Sequence, residues 1–178
     1  MRLLALVGMT GSGKSEASRF FKSRGFPVIH FGAITLEELA KQNLAVNPAN
    51  ERAVRESIRS NEGMDAYARR SLAKIKDALL VNQTVVIDGL YSTSEFLVLK
   101  KEFGSALEII AIFTSRQTRY LRLAHRKVRP LSSEEASERD LAEVLNLEKG
   151  GPIALADRTI INDDDIKSFE NALLNILD

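Results

Sequence analysis

Two rhythms of apolar and polar positions alternate along this 178-residue chain. Five short apolar runs rich in β-branched residues stand out: Leu3 to Val7, Val28 to Phe31, Thr84 to Asp88, Leu107 to Phe113 and Thr159 to Ile161. Longer stretches with helical spacing separate them. Near-continuous apolar runs of this length suit strands buried on both faces, so the alternation predicts an α/β fold: a parallel sheet covered by helices on both sides.

Between the second and third runs lie about fifty residues, far more than a plain crossover needs. The surplus, residues 35–81, predicts a helical insertion standing over the carboxyl edge of the sheet and able to bind a second substrate. Pro48 suits the first turn of a helix running through Glu51, Val54 and Ile58 to Gly63. A second helix is predicted from Met64 to Val81, and a last one from Ile166 to Leu177. Asp163, Asp164 and Asp165 precede that last helix, where acids are favoured by capping and by the helix dipole without any metal.

Immediately after the first run the chain reads Gly8-Met9-Thr10-Gly11-Ser12-Gly13-Lys14-Ser15-Glu16, which contains a complete G-x-x-x-x-G-K-[ST] pattern. A polyphosphate must be wrapped by main-chain N–H groups, and glycines let the backbone approach it closely. Lys14 is expected to bridge the β- and γ-phosphates while facing solvent in the free protein. The Ser15 hydroxyl is expected to ligate Mg²⁺, and the helix starting near Gly13 to point its positive end at the anion. The octet thus predicts ATP, or another nucleoside triphosphate, with Mg²⁺.

Composition narrows the setting. Cysteine is absent, which excludes a disulfide framework, a zinc-thiolate site and a cysteine nucleophile. With 25 basic and 24 acidic side chains the net charge is +1, so no global field draws the chain to nucleic acid. No apolar stretch reaches the roughly 18 residues of a membrane span. The expectation is one domain in a reducing cytoplasm, monomeric or homodimeric, with neither nucleic-acid nor membrane partners.

Further candidates flank the loop in sequence. Asp88 ends the third run, at the strand edge where open α/β sheets bind ligands, and is a candidate for holding Mg²⁺ or taking a proton. Arg119, Arg122, Arg126 and Arg129 fall on one predicted helical stretch, the step from Arg122 to Arg126 placing both on one face. Arg139 belongs to the next segment, Ser133 to Asn146. Phosphoryl transfer needs cations held where charge develops, and arginines on a mobile flap would supply them. Arg52, Arg55, Arg59, Arg69 and Arg70 lie in the insertion, with Arg59 or Arg69 the candidates to clamp an acceptor phosphate. His30 and His125 lack a second ligand at metal spacing and read as packing or surface residues.

Taken in order, the loop, Glu62-Gly63-Met64-Asp65-Ala66, Val86-Ile87-Asp88-Gly89, Arg122-Leu123-x-x-Arg126, Glu138-Arg139-Asp140, Ala154-Leu155-Ala156-Asp157 and Ile161-Asn162 resemble the adenylate-kinase-like and dephospho-CoA-kinase-related proteins. The resemblance spans nearly the whole chain. It implies a P-loop nucleotide-kinase fold with a five-stranded parallel core in three α/β/α layers, an acceptor-binding insertion and a lid over residues 119–146. It implies that Lys14 and Ser15 bind triphosphate and Mg²⁺, that Asp88 sits by the metal, that Arg122, Arg126 and Arg139 are lid arginines, and that Asn162 borders the adenine. Two positions depart from the pattern: Gly32-Ala33 replaces Gly-Asp, and Tyr91 stands where an arginine is usual. Both fall on the acceptor side.

The function expected from the sequence is phosphoryl transfer from ATP to a nucleotide-like acceptor, either a nucleoside monophosphate or dephospho-CoA. The alternative is a nucleotide-dependent switch or assembly ATPase that uses the same loop without a small-molecule acceptor.

Overall fold

A computed structural model describes residues 1–177. The chain runs β1 (Arg2–Val7), α1 (Lys14–Ser23), β2 (Val28–His30), α2 (Ala33–Lys41), α3 (Pro48–Glu62), α4 (Ala66–Val81), β3 (Thr84–Asp88), α5 (Thr93–Phe103), β4 (Leu107–Phe113), α6 (Arg116–His125), α7 (Ser133–Leu145), α8 (Gly150–Ala154), β5 (Arg158–Ile161) and α9 (Ile166–Leu174). The five strands pair in parallel, in the order β2-β3-β1-β4-β5.

Period-two geometry sends alternate residues of each strand to opposite faces, and both faces of this sheet are buried. On one face Leu3, Ala5, Val7, Val85, Ile87, Ile109 and Ala111 pack with α2, α3, α4 and α5 through Leu39, Val54, Ile58, Tyr67, Ile75 and Leu99. On the other, Leu4, Leu6, Val86, Ile110 and Ile112 meet Phe20 and Phe21 of α1 and Phe169 and Leu173 of α9. The helices of the insertion therefore share their apolar cluster with the sheet.

Local chemistry sets the ends of the elements. Asn47 caps α3, its side chain accepting from Asn50 N, with Pro48 at the first position. Asp165 caps α9 in the same way through Ser168 N, 2.9 Å away. Ser92 and Glu95 form a reciprocal capping box on α5. Several predicted boundaries move: β2 ends at His30 rather than Phe31, β5 begins at Arg158 rather than Thr159, α4 begins at Ala66 rather than Met64, α9 ends at Leu174 rather than Leu177, and α6 stops at His125. The last correction matters, because Arg126 has an extended backbone and does not continue the face of Arg122. No helix of the described residues is long and apolar enough to cross a membrane.

Parallel strands all deliver their carboxyl ends to one edge, and the register sets what meets there. His30 lies opposite Asp88, Asp88 opposite Leu6, and Val7 opposite Ala111. Phe21, in the last turn of α1, is fully buried and edge-on to Phe20 and Phe26 at 5.4 and 6.0 Å, and it packs α1 onto the sheet. Phe21→Ala is expected to lower the unfolding free energy by about 3–5 kcal/mol in urea titration. A loss under about 1 kcal/mol would contradict this packing.

Candidate functional site: a braced loop and the side chains that close on it

From Gly8 to Gly13 the chain crosses the carboxyl edge between β1 and α1. Two glycines are obligatory on steric grounds. Gly8 has φ +146°, and a Cβ there would lie 2.5 Å from the Ile112 carbonyl oxygen and 2.7 Å from Ser12 Oγ. Gly13 has φ +106°, and its Cβ would collide with the Asn162 amide. Because Gly13 is the N-cap of α1, no side chain caps the helix. Its first N–H groups remain open to an anion and carry the positive end of the dipole.

The loop is held from below. The Ser12 carbonyl accepts from Asn162 Nδ2 at 2.8 Å and from Thr114 Oγ1 at 3.0 Å, and the same hydroxyl lies 3.0 Å from the Asn162 carbonyl oxygen. Thr114 and Asn162 follow β4 and β5 directly and are both buried. The Asn162 amide, placed beside the adenine by resemblance, is thus spent on the loop backbone. Ser12 Oγ is buried and has no hydrogen-bond partner among the described residues.

Side chains from α6, α7 and the turn before α8 hold the loop from above. Thr10 donates its N–H to Glu143 Oε2 at 3.0 Å and its hydroxyl to Glu143 Oε1. Lys149 Nζ approaches Glu143 Oε2 to 2.8 Å, and both side chains are buried. Burial pushes the Glu143 carboxyl up, but the charge and hydrogen bond of Lys149, with the bonds from Thr10, outweigh it and hold it at about 2. Arg139 Nε donates to Thr10 Oγ1 at 3.2 Å and lies 3.5 Å from Glu143 Oε1. Arg119, also buried, donates to the Thr10 carbonyl at 3.1 Å and forms a two-pronged pair with Asp140, both contacts 2.7 Å.

Lys14 is not solvent-facing, contrary to the sequence expectation. Its Nζ donates to the carbonyls of Gly8 at 2.7 Å and Met9 at 3.0 Å. Burial, reinforced by the nearby Lys149 charge, lowers its ammonium to about 7 against the opposing pull of Glu143 and Asp88. Asp88, at the end of β3, accepts from Ser18 Oγ at 2.8 Å and lies 3.4 Å from His30 Nδ1, both through Oδ2. Burial raises that carboxyl, and the His30 and Ser18 hydrogen bonds more than reverse it. His30 is an exposed residue, as expected, but it has a partner: the hydrogen bond to Asp88 raises its imidazole above the ordinary range.

Ser15 lies exposed on the first turn of α1, and Glu16 beside it pairs with Arg19. Arg122 sits deeper, its Nη1 3.4 Å from Thr114 Oγ1, while Arg126 is held by the Arg129 carbonyl at the start of the α6–α7 connection. The structure thus gathers Lys14, Asp88 and Arg139 around the loop. Arg122 reaches the brace beneath the loop, and Arg126 lies outward. Burial first, then the charges of Arg139 and Arg129, lower the Arg126 guanidinium from its usual value. Among the described residues no group of three or more His, Asp or Glu forms a metal cluster. Ser15 and Asp88 nonetheless suit Mg²⁺, which takes one or two protein oxygens and fills its octahedron with water and phosphate.

Sequence reasoning missed Glu143 and Lys149. Both are charged, and only their burial at 4% and 3% exposure marks them. The one available signal was their place at the end of the segment that carries Arg139. Tyr91 was noticed as a departure; its ring lies 4.6 Å from Lys149 Nζ, and burial, then the carboxylates of Asp88, Glu143 and Glu95, push its hydroxyl up to about 12.

An uncapped glycine loop between a central parallel strand and the first helix defines the P-loop class, and the five-stranded parallel sheet is that of its kinase-like branch. Residues 4–145 match the AAA domain family. The chain belongs to the UPF0200 family: it is 33% identical over 179 residues to a UPF0200 protein of Thermococcus onnurineus, covering 99% of this chain and 96% of that protein. A Pyrococcus furiosus UPF0200 protein is 34% identical, covering 98% and 97%. In fold, the chain is similar to TT1252 from Thermus thermophilus, with TM-score 0.64, 23% identity and coverage of 99% and 96%. It is also similar to a shikimate kinase from Acinetobacter baumannii in complex with shikimate, with TM-score 0.58, 15% identity and coverage of 99% and 91%.

Removing one member of a buried ion pair leaves the other charge uncompensated. Glu143→Gln is expected to cost about 3–5 kcal/mol of stability at pH 7 in chemical denaturation, and adding Lys149→Met should restore a large part. Because the folded Glu143 carboxyl lies at about 2, below its ordinary 4.5, its contribution is present above pH 4.5 and lost as pH falls through 2. Acid titration of the two proteins should converge across that window. Parallel curves would contradict the pairing.

Proposed function

We propose that the protein is an ATP-dependent phosphotransferase acting on a nucleotide-like acceptor, a nucleoside monophosphate or dephospho-CoA. The observation that carries this reading is Lys14: an ammonium desolvated to a pKa of about 7 and resting on loop carbonyls beside an uncapped helix terminus. A cation that has lost water without gaining a full counter-charge is arranged for an incoming anion. The match to P-loop kinases in fold supports the same reading.

Bound Mg·ATP supplies the transferable γ-phosphoryl group and neutralises part of its charge. The chain's own residues do the rest. Free backbone N–H groups of the loop and of the first turn of α1 would wrap the phosphates, and Lys14, now on the Gly8 and Met9 carbonyls, would turn to them. Ser15 and Asp88 would hold Mg²⁺, with Asp88 Oδ2 accepting from Ser18 Oγ. Arg139 and Arg126 provide the equatorial charge, and Arg122 contacts the nucleotide near Asn162.

In this reading the chain is one domain, with residues 35–81 binding the acceptor and 119–146 acting as a lid. A contact across the cleft supports closure between them: Arg129, in the α6–α7 connection, lies 3.2 Å from Glu51 of α3. Closure excludes water that would otherwise take the phosphoryl group.

Incubation with ATP, Mg²⁺ and a panel of acceptors tests the proposal. Acceptor-dependent ADP release is expected, and release indifferent to every acceptor would favour the switch or assembly ATPase instead. Lys14→Ala should abolish turnover while preserving the circular-dichroism spectrum; unchanged turnover would refute the assignment. Arg126→Ala should lower kcat more than ATP affinity, since a lid arginine acts on developing charge. A loss confined to affinity would reassign it to ground-state binding.

A further inference from the structure

A carboxylate already sits on the phosphate loop. Glu143, in the last turn of α7, accepts from the Thr10 N–H at 3.0 Å through Oε2 and from the Thr10 hydroxyl through Oε1. Lys149 Nζ stands 2.8 Å from Oε2, and Arg139 Nε 3.5 Å from Oε1. A backbone N–H, a hydroxyl and two cations converge on this one anion. Loop amides, hydroxyls and fixed cations are also what a phosphate oxygen seeks.

Lys14 shows which phosphate is concerned. In a loop of this pattern the backbone amides cradle the α- and β-phosphates, and the lysine reaches the β- and γ-phosphates. Lys14 Nζ rests on the carbonyls of Gly8 and Met9, at 2.7 and 3.0 Å, directly before Thr10 in the chain. Glu143 is thus gathered at the lysine's end of the loop, and its charge is among those felt by Lys14. A nucleoside diphosphate has no group beyond the β-phosphate to put there. A triphosphate has one, and it carries the same sign of charge as Glu143.

Lys149 turns this overlap into an exchange. Its side chain is 4% exposed, and Nζ lies 4.6 Å from the centroid of the Tyr91 ring. Its backbone N–H closes the turn after α7 on the Glu143 carbonyl oxygen, at 3.1 Å. An ammonium so little hydrated cannot give up its carboxylate unless another anion takes over. The helix itself need not leave. Asp140 keeps its two-pronged pair with Arg119, and Arg119 its bond to the Thr10 carbonyl, when the Glu143 side chain alone turns away.

Resting on the nucleotide-binding part of the reading above, we propose that Glu143 is an internal stand-in for the terminal phosphate, displaced by a nucleoside triphosphate and left in place by a diphosphate. The Thr10 N–H, Lys149 and Arg139 then pass from the carboxylate to the γ-phosphate oxygens, and buried Lys149 keeps a counter-charge throughout. The exchange weakens triphosphate binding by the work of releasing Glu143. It also makes the position of one carboxylate report which nucleotide is bound.

The test is calorimetry with ADP and with a non-hydrolysable ATP analogue, each in the presence of Mg²⁺. Glu143→Gln removes the competing charge and leaves Lys149 without a partner. Glu143→Asp keeps a charge facing Lys149, one methylene short of the loop, and guards against failure of the glutamine variant to fold. Analogue affinity relative to ADP is expected to rise about 10- to 100-fold in Glu143→Gln and in the same direction, by less, in Glu143→Asp. The analogue should also raise the melting temperature of Glu143→Gln by more than that of the parent, since the γ-phosphate restores the missing counter-charge. Adding Lys149→Met to Glu143→Gln should abolish the gain. The exchange is overturned if the analogue-to-ADP ratio in the Glu143 variants that fold is no higher than in the parent, or if the double variant keeps the whole gain. If neither nucleotide binds the parent or the variants, the nucleotide-binding reading itself falls, and the exchange falls with it.

Discussion

A loop that is half glycine cannot hold its own shape, and the site depends on how this one is held. The Ser12 carbonyl carries the constraint: it accepts from Asn162 and Thr114, which stand at the ends of β5 and β4. Strand pairing fixes those two positions relative to β1, since Val7 pairs with Ala111 and Phe113 with Ile161. Sheet register therefore becomes loop geometry through two side chains. The glycines contribute by what they lack, because a methyl group at Gly13 would strike the very amide that holds Ser12.

The loop is also held from the opposite side, and there the interactions are ionic. Thr10 alone is engaged through its N–H, its hydroxyl and its carbonyl, by Glu143, Arg139 and Arg119. These contacts come from α6 and α7, which follow β4. Neutral hydrogen bonds fasten the loop to the sheet, while charged ones fasten it to the helices above. The two sets differ in how they respond to an arriving anion. The first is buried and electrically silent, whereas the second involves Glu143, Lys149 and Arg139, all within the field of Lys14.

Much of this was legible in the sequence. All five strands and the phosphate-loop pattern could be read because each depends on a short local rule, apolar continuity in one case and fixed glycine spacing in the other. The Asp165 cap follows a local rule as well, an acid placed just before a helical pattern. What escaped were long-range polar pairings. Glu143 and Lys149 look like ordinary helix-surface charges until the chain folds back, and His30 acquires meaning only because parallel register sets it against Asp88. The misplaced end of α6 has a different origin. Arg122 and Arg126 have helical spacing, but the backbone turns extended at Arg126 after His125 Nδ1 contacts the Leu121 carbonyl.

Arginines near a phosphate loop are easily treated as equivalent, and their surroundings here separate them. Arg119 is buried and saturated by Asp140 and the Thr10 carbonyl, so moving it to a ligand would forfeit three short contacts and strand a partly buried carboxylate. Arg139 is half exposed and bound at 3.2 and 3.5 Å, a hold weak enough for a phosphate oxygen to displace. Arg126 has only a backbone carbonyl and two like-charged neighbours, a setting that gains from any anion brought between them. Availability to a ligand thus rises from Arg119 through Arg139 to Arg126, as the cost of releasing the present partner falls. Sequence proximity to the loop does not order them this way; the strength of the partner each must leave does.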